Sequence, residues 1–415
     1  MMERRVVITG MGAVSCAGNS LPELWDALVS GRSGIGNITC FDASDLPCPV
    51  GEVRDFAPAG VTPKEARRMA RNTLLAVGAA DEAMATAALP RDPEARGGDQ
   101  FRFGALFANG AGGVEEYDRG TEALNRRGPG GVSAFFMPKF ISNAACGTLA
   151  IRYGLRGPNF NPVSACASGA HAIGEAAWMI RRNDADIMLA GGTEACLNRL
   201  MVSGFNSLTA LSRISPPERA CRPFDLERDG FVLAEGAGAL VLEELEHARR
   251  RGTEIFAEVA GYGASCDAIH ITAPDPAGAG LIYAIRRALE AAGCSTSDVG
   301  AVYAHGTGTV MNDRVEAKAL HAVFGDAMRK IKVCAMKSMI GHALSASGAL
   351  AALGATQTLR TGILPPTINF TTPDPECDLD VNPGGAARIA PRFVLMNNLG
   401  FGGHNAALIL KKWEE

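Results

Sequence analysis

Cys166 is the residue whose surroundings in the sequence most clearly suggest chemistry. It lies in the segment NPVSACASGAHAIGEAAWMI, residues 161–180, where a short run ends and a helix-compatible pattern of small residues begins. At such a corner, unpaired backbone N–H groups and the positive end of a helix dipole favour a thiolate, which lowers the thiol pKa. The pattern therefore predicts a nucleophile, although a buried structural cysteine would also fit it.

Three further glycine-rich turns carry residues that could work together with Cys166. His305 ends a predicted strand in YAHGTGTVMNDRVEA, and Lys337 and His342 lie around a turn into a helix in MKSMIGHALSASG. Phe401 stands between glycines in NNLGFGGHNAALIL, just before the final strand. Taken singly, each turn could be purely structural. If two halves of the chain are related by a pseudo-two-fold axis, however, all four turns converge in one cleft.

The elements needed to position these turns occur twice along the chain. Residues 1–253 contain a strand and a helix, then the strand and turn FRFGALFANGAGG, then the Cys166 unit. Residues 254–415 repeat this order with EIFAEVAGYGA, LIYAIRRALEAAG, VGAVYAHGTGT and the unit that carries His342. The repetition predicts an internal duplication, with the cysteine in the N-terminal half and both histidines in the C-terminal half. Alternating strands and helices predict an α/β fold with largely parallel sheets, layered as an αβαβα sandwich.

Four segments give more detailed predictions of secondary structure. Residues 5–14 have the pattern of a buried strand, and LPELWDALVSG that of a helix with Ser20 as its N-cap and Gly31 near its end. A basic start followed by an Ala/Leu-rich run predicts one helix over residues 64–89. A second buried helix is expected over residues 135–154.

Composition excludes several classes of function. The chain has 415 residues, 47% of them hydrophobic, and can therefore bury a large core. Its 40 Lys and Arg against 44 Asp and Glu create no general basic field, so nucleic acid is not an expected partner. Eleven cysteines without a CxxC pair or zinc-like Cys/His spacing predict reduced thiols in a cytoplasm and no metal site. No uninterrupted apolar run is long enough to predict a membrane span.

In combination, the motifs resemble one known family. The chain carries VSACASG, AHGTGTVMND and KSMIGHALSASG in that order, and so resembles the β-ketoacyl-acyl carrier protein synthases of the thiolase superfamily, closest to the elongating synthase II type. The resemblance runs over nearly the whole length, from VVITGMGAVSCAGNS to GFGGHNAALIL. It implies a thiolase-like fold and a decarboxylative Claisen condensation without a metal or redox cofactor. The substrates would be carried on the phosphopantetheine of an acyl carrier protein.

The resemblance also implies a role for each residue of the four turns. Cys166 would accept an acyl group from a phosphopantetheine thioester, because a thiolate attacks a thioester readily and later leaves well. His305 and His342 would donate hydrogen bonds to the enolate-like oxygen formed when a malonyl group loses CO2. The backbone N–H groups of Cys166 and Phe401 would form an oxyanion hole, with Phe401 also acting as a gate.

Lys337 is expected to order the site near the histidines. The resemblance implies Glu316 as its carboxylate partner, with Asp313 in the same turn network, so that all three support the catalytic residues. A salt bridge that only holds two loops together is the alternative.

The resemblance further implies a basic docking surface for the acidic carrier protein. Lys64, Arg67 and Arg68 in TPKEARRMARN match a docking helix of the family, although a solvated helix face would give the same pattern. The basic pair often found near GPGGVS is missing, and Arg126 and Arg127 lie just before that segment.

Two departures from the family pattern concern the substrate. Ala111 in NGAGG replaces the bulky aliphatic residue common in the acyl pocket of elongating synthases, which predicts a deeper pocket. Leu399 belongs to NNLGFGG, where NSFGFGG is more usual, and is expected to alter the gate.

Two pathways fit the leading interpretation. One is fatty-acid elongation by a homodimer; the other is the catalytic subunit of a type II polyketide or polyene synthase, paired with a chain-length factor that lacks the nucleophile. A silent chain-length subunit is disfavoured because Cys166, His305 and His342 are all present. A thiolase would use a second cysteine, and a starter synthase one histidine and one asparagine, so both are also disfavoured.

Overall fold

The computed structural model describes residues 4–414, so residues 1–3 and 415, which the two predicted halves include, lie outside the described residues. The strands of the described chain are β1 (Val6–Ser15), β2 (Gly36–Asn37), β3 (Pro49–Gly51), β4 (Phe103–Ala108), β5 (Asn159–Phe160), β6 (Ile187–Glu194), β7 (Leu233–Ala234), β8 (Gly236–Glu244), β9 (Ala257–Cys266), β10 (Val299–Tyr303), β11 (Lys332–Cys334), β12 (Ile363–Leu364), β13 (Ala387–Arg388), β14 (Phe393–Gly400) and β15 (His404–Lys412).

The α-helices range from single turns to four turns in length. Along the same residues they are α1 (Leu21–Ser30), α2 (Pro63–Ala66), α3 (Arg71–Thr86), α4 (Pro93–Arg96), α5 (Val114–Arg127), α6 (Phe136–Phe140), α7 (Ala144–Tyr153), α8 (Ser168–Arg181), α9 (Arg199–Ser207), α10 (Leu245–Arg251), α11 (Ala279–Ala292), α12 (Val310–Phe324), α13 (Lys337–Ile340) and α14 (Ser347–Thr361).

Ten strands form one mixed sheet, whose order shows the same topology twice. The order is β11-β10-β14-β15-β9-β1-β8-β6-β4-β5. The five strands of each set can be numbered in chain order, from β1 in one set and from β9 in the other. From the outer edge of the sheet inwards, both sets then have the order third, second, fourth, fifth, first. The two sets meet where β1 pairs antiparallel with β9. This is the repetition expected from the sequence. The division into residues 1–253 and 254–415 as separate units stays a prediction.

The sheet is mixed rather than largely parallel. β4 pairs parallel with β5 and β6, and β10 with β11 and β14, whereas β8 and β15 are antiparallel to their neighbours. The prediction of largely parallel sheets is therefore wrong in part. In the C-terminal set the cause is local, because β15 follows β14 after only three residues and must return in the opposite direction.

Helices α8 and α14 pack between the two sets of strands, and other helices cover the outer face of each set, so that helices and strands alternate in five layers. The central core joins β1, α8, α14, β14 and β15 through residues such as Ile8, Ile173 and Leu353. A second core lies between α3, α7 and the N-terminal strands, and a third between α11, α12 and the C-terminal strands. Leu408 belongs to the central core and Ile409 to the third one, as expected for successive strand residues that face opposite ways. The layered αβαβα fold class is confirmed.

One glycine turn explains why two predicted helices are each divided. The expected strand and helix at the N-terminus are present as β1 and α1, but residues 64–89 form α2 and α3, and residues 135–154 form α6 and α7. A Cβ on Gly112 would lie 2.2 Å from the Phe140 carbonyl oxygen, and one on Gly113 would lie 2.7 Å from the Ala70 Cβ. The turn after β4 therefore packs directly against both breaks.

Within residues 4–414, no helix has the length and apolar character needed to cross a bilayer. All eleven cysteines are free thiols.

Candidate active site

Cys166 lies on a tight turn at the start of α8. Ala165 has a φ of 50°, in the left-handed region that residues with a side chain rarely adopt, so the backbone reverses sharply just before the thiol. The Ser168 hydroxyl braces this turn: it accepts a hydrogen bond from the Ser164 N–H at 2.8 Å and donates one to the Ala165 carbonyl at 2.6 Å. Helix α8 then begins at Ser168, two residues after Cys166.

The corresponding turn of the second half meets this one closely. Leu344 has a φ of 44° and precedes Ser345 and helix α14, as Ala165 precedes Cys166 and α8. A Cβ on Gly169 would lie 2.5 Å from the Ser345 carbonyl oxygen, and one on Gly348 would lie 2.4 Å from the Ala170 nitrogen. Only glycine fits at these two positions. The N-termini of both helices consequently meet at the centre of the molecule.

The turns open onto one cavity of about 670 Å³. Its wall includes Cys166, His305, His342, Phe401 and Ala111, which come from both halves of the chain. The nucleophile candidate and both histidine candidates are therefore in one place. Over the described chain, His, Cys, Asp and Glu side chains form no group of three or more that could hold a metal ion.

The rings of His305 and His342 stand edge to face, with centroids 5.2 Å apart. The Ser347 hydroxyl lies 2.9 Å from Nδ1 of His342, while Lys337 Nζ and Asn398 Nδ2 lie 3.5 and 3.4 Å from Nδ1 of His305. Both Nδ1 atoms thus face protein groups. Among the described residues, no side chain or backbone group hydrogen-bonds to either Nε2.

Both imidazoles are neutral at physiological pH. Each ring is almost completely buried. Burial, helped by the positive charge of Lys337, lowers the pKa of His305 and of His342 well below the ordinary value of 6.5. Neutral imidazoles with occupied Nδ1 atoms can act as Nε2–H donors.

Lys337 has a different partner from the one predicted. Its ammonium donates to the backbone carbonyl of His305 at 2.5 Å. In the described chain no carboxylate lies within ion-pair distance of Lys337, so the predicted pairing with Glu316 is wrong. Burial lowers the pKa of Lys337, and the nearby charge of Glu316 acts in the opposite direction.

Glu316 and Asp313 instead fix the backbone of the His305 turn. Glu316 accepts hydrogen bonds from the N–H groups of His305 and Gly306 at 2.6 and 2.8 Å, and burial raises its pKa to about 7. Asp313 accepts from the N–H of Thr307 at 3.1 Å. Both carboxyl groups, at the start of α12, hold the turn in place without facing the imidazole nitrogens.

The turn that follows β14 lies beside Cys166 and supplies the other candidate oxyanion donor. A Cβ on Gly400 would lie 2.6 Å from the Ser164 carbonyl oxygen and 3.2 Å from the Cys166 nitrogen, so glycine lets the two backbones touch. The N–H of Phe401 is thereby directed at the thiol, while the Phe401 ring is 38% exposed.

The thiol itself is less acidic than the sequence suggested. Burial raises the pKa of Cys166 to about 11, although Lys337 and the Phe401 N–H both act to lower it. The predicted lowering of the pKa is wrong, because desolvation outweighs these favourable interactions.

Two buried polar residues, one in the cavity wall and one in contact with His305, were not identified from the sequence. Glu194, at the end of β6, accepts hydrogen bonds from the side chains of Asn109 and Ser345 and from the N–H of Ala111. Burial raises its pKa. Asn398 reaches His305, as described above. Glu194 ends β6 without any motif of its own, whereas Asn398 belongs to NNLGFGG, whose departure from NSFGFGG at this position is a signal in the sequence.

The predicted docking residues lie outside the cavity. Lys64 belongs to the single-turn helix α2, and Arg67 and Arg68 follow it, all three exposed to solvent. The Arg68 guanidinium lies 5.4 Å from the centre of the Phe135 ring. Their role in carrier docking stays a prediction.

Comparison with known proteins gives consistent relatives over the whole chain. Residues 3–248 match the model "Beta-ketoacyl synthase, N-terminal domain", and residues 256–371 match "Beta-ketoacyl synthase, C-terminal domain". The chain is 43% identical to 3-oxoacyl-[acyl-carrier-protein] synthase 2 of Staphylococcus aureus strain N315 over 413 residues, covering 99% of both chains. It is also 43% identical to the enzyme of the same name from Coxiella burnetii over 415 residues, again covering 99% of both.

Similar solved structures superpose over almost the full length. The ishigamide ketosynthase/chain length factor gives a TM-score of 0.90 at 36% identity, and a β-ketoacyl synthase from Burkholderia phymatum gives 0.90 at 34%. A type II polyketide ketosynthase in complex with its acyl-carrier protein gives 0.90 at 33%. Each match covers 99% of this chain and 100% of the other.

Proposed function

This chain belongs to the β-ketoacyl synthase family, and from that premise we propose that it elongates acyl chains by condensing a Cys166-bound acyl group with malonyl-acyl carrier protein. The observation that carries the proposal is the shared cavity, in which one thiol faces two neutral imidazoles whose Nδ1 atoms are engaged elsewhere. That arrangement suits an acyl acceptor next to two hydrogen-bond donors.

In the first step Cys166 takes the acyl group. Its sulfur attacks the carbonyl carbon of the acyl thioester, the bond to the carrier sulfur breaks, and the thiol proton leaves with the released carrier thiol. The N–H groups of Cys166 and Phe401 receive the negative charge that develops on the carbonyl oxygen. The close approach allowed by Gly400 supports this pairing of donors.

In the second step the malonyl group loses CO2. The bond between its methylene carbon and carboxylate breaks, and the electron pair forms an enolate of the thioester. Nε2–H groups of His305 and His342 donate to the enolate oxygen. Because these donors are neutral and fixed, they favour the charge as it develops rather than the bound substrate.

In the third step the enolate carbon attacks the acyl carbon on Cys166. A carbon–carbon bond forms, the carbon–sulfur bond breaks, and the product leaves as a β-ketoacyl thioester of the carrier protein. Cys166 is released as a thiolate, which the nearby positive charge of Lys337 favours. The thiolate then takes a proton from solvent.

We assign the carrier protein and a second ketosynthase-fold chain as partners in this reaction, in a cytoplasm that keeps the eleven thiols reduced. A related ketosynthase is known in complex with its acyl-carrier protein, and two others with a chain length factor. Exposed basic residues Lys64, Arg67 and Arg68 suit an acidic carrier. A homodimer is our first assignment.

The catalytic subunit of a type II polyketide or polyene synthase is the second candidate. Ala111 in the cavity wall favours it, because a small side chain leaves room for a longer or stiffer acyl chain. The higher identity to 3-oxoacyl-acyl carrier protein synthases, 43% against 36% for the ishigamide ketosynthase, favours fatty-acid elongation.

Intact mass spectrometry of the purified chain tests the proposal. After incubation with acyl-carrier protein, we expect the wild type to gain one acyl mass and Cys166→Ala to gain none. After malonyl-carrier protein is added, we expect β-ketoacyl product from the wild type alone, and loading without product from His305→Ala. A His305→Ala variant that condenses normally would overturn the assigned mechanism. Loading without condensation by the wild type would favour the second candidate, with its missing chain-length factor.

A further inference from the structure

Asn398 is a buried residue that touches the catalytic machinery without lining the cavity. It lies on β14, two residues before Gly400, and its side chain is 1% exposed. Its Nδ2 is 3.4 Å from Nδ1 of His305. Its Oδ1 is buried with no hydrogen-bond partner in the described chain. The contact between Nδ2 and His305 therefore accounts for the orientation of the amide, because Oδ1 makes no hydrogen bond within the described residues.

Two donors thus face the same imidazole nitrogen. Lys337 Nζ lies 3.5 Å from Nδ1 of His305, and Asn398 Nδ2 lies 3.4 Å from the same atom. An ammonium and an amide NH2 can only donate, so Nδ1 must present its lone pair and the ring proton must be on Nε2. Reversing the Asn398 amide would set its oxygen against that lone pair.

We propose that Asn398 is a positioning residue that, together with Lys337, holds His305 in the Nε2–H tautomer. The inference rests on the proposed function, in which His305 donates from Nε2 to the enolate oxygen. In the similar family pattern a serine is more usual at this position, and its shorter side chain would not extend as far toward the ring.

The charges around His305 are consistent with this role. Lys337 approaches from α13 and His342 from the turn before α14, while Cys166 faces it across the cavity. Glu316 of α12 contacts only the backbone N–H of His305 and Gly306. None of these groups accepts a proton from Nδ1. A carboxylate in place of Asn398 would do so, favouring the Nδ1–H tautomer and the imidazolium.

Variants of Asn398 test the inference through two separate readouts, acyl loading of Cys166 and release of CO2 from malonyl-carrier protein. For Asn398→Ser we expect unchanged loading and CO2 release slowed by about three- to tenfold, the size of one neutral hydrogen bond. For Asn398→Asp we expect CO2 release slowed by at least about a hundredfold, since a wrong tautomer is costly in histidine catalysis. The acid limb of its pH profile should also move to higher pH.

His305→Ala, measured in parallel, distinguishes a failure of the inference about Asn398 from a failure of the proposed function. If both Asn398 variants release CO2 at the wild-type rate and with its pH profile while His305→Ala is inactive, the inference about Asn398 is wrong and the proposed function stands. If His305→Ala releases CO2 normally, the proposed function fails first. Should Asn398→Asp fail to load, the rate and loading of Asn398→Ser decide the question.

Discussion

Lys337 acts electrostatically on three groups of the candidate site at once. Its charge lowers the pKa of the Cys166 thiol and also the pKa values of His305 and His342. A positive charge favours the thiolate and disfavours the imidazolium, so both effects lower a pKa and both would help the proposed reaction.

Lys337→Met should therefore raise three pKa values together. With a higher thiol pKa, less thiolate is present at neutral pH, and acyl loading should slow by roughly tenfold per pKa unit. With higher imidazole pKa values, His305 and His342 become protonated nearer to neutrality, and the acid limb of CO2 release should move to higher pH. Rate profiles of both steps between pH 5 and 9 measure the two changes.

Lys332→Met is the matched control for that substitution. Lys332 lies on β11 and pairs with Asp380 at the surface, 2.6 Å away. Its loss should leave both profiles unchanged. Identical profiles for Lys337→Met and the wild type would show that the Lys337 charge does not act on the site.

Ala111 lies in the wall of the cavity that contains Cys166, and we propose that its small side chain sets the depth of this cavity. Ala111→Ile adds three carbon atoms to a residue of the cavity wall, so we expect shorter products. Analysis of the β-ketoacyl chain lengths formed from a mixture of acyl-carrier proteins measures the effect, and the rate with the shortest acyl group serves as the internal control. An unchanged length distribution would exclude Ala111 as a limit on the chain.

Residues that belong to sequence motifs could be predicted, whereas contacts that arise only from packing could not. Cys166, His305 and His342 each lie in a turn with a glycine close by in the sequence, so their turns could be found by pattern. The actual partner of Lys337 is a backbone carbonyl, which no side-chain pattern reveals. The contact between Asn398 and His305 joins residues 93 positions apart and depends on β10 lying beside β14.

Among the elements, the crossing of α8 and α14 positions Cys166, the proposed nucleophile. Gly348→Ala would place a Cβ 2.4 Å from the Ala170 nitrogen and 3.0 Å from the Ala170 Cβ. Backbone atoms cannot yield as a flexible side chain does, so we expect destabilisation by about 1–3 kcal/mol. Displacement of α8 should also reduce acyl loading. Urea unfolding and loading rate measure the two effects.

Gly147→Ala provides the comparison within another helix, α7. A Cβ there meets nothing within 4 Å, and the change should stabilise the protein by about 0.5–1 kcal/mol through the lower entropy of the unfolded chain. If Gly348→Ala were as stable and as active as Gly147→Ala, the close helix crossing would not matter for the site.

Element boundaries were predictable where the signal is local. Helix α1 begins after Ser20, whose side chain accepts from the Glu23 N–H, and ends at Gly31 with a φ of 68°. The breaks between α2 and α3 and between α6 and α7 have no such signal, because their cause is the Gly112–Gly113 turn packed against them. Contacts between distant segments override a periodic pattern in these two places.

For the whole molecule, the site depends on both copies of the repeated topology. The first half contributes Cys166 and Ala111, and the second contributes His305, His342 and Phe401. The repeat could be inferred from the order of elements, and with it the meeting of the turns. The mixed strand directions could not, because periodicity does not distinguish a parallel neighbour from an antiparallel one.

Binding of the carrier protein is expected to depend on the surface of the molecule outside the cavity. Arg67 and Arg68 are exposed and lie away from the cavity, so they can affect how a carrier binds without touching the reacting atoms. The double variant Arg67→Glu and Arg68→Glu should raise the KM for an acidic acyl-carrier protein by roughly tenfold at low salt, and the difference should shrink as salt increases. The kcat should stay the same.

A small pantetheine thioester is the substrate that makes this test specific, because it delivers the same acyl group without a charged protein. Its loading rate should be equal in the double variant and the wild type. The double variant Arg250→Glu and Lys330→Glu, at two other exposed positions, controls for the change in net charge. If the double variant lost activity with both substrates, Arg67 and Arg68 would act on the fold; if it lost none with the carrier protein, docking would occur on another surface.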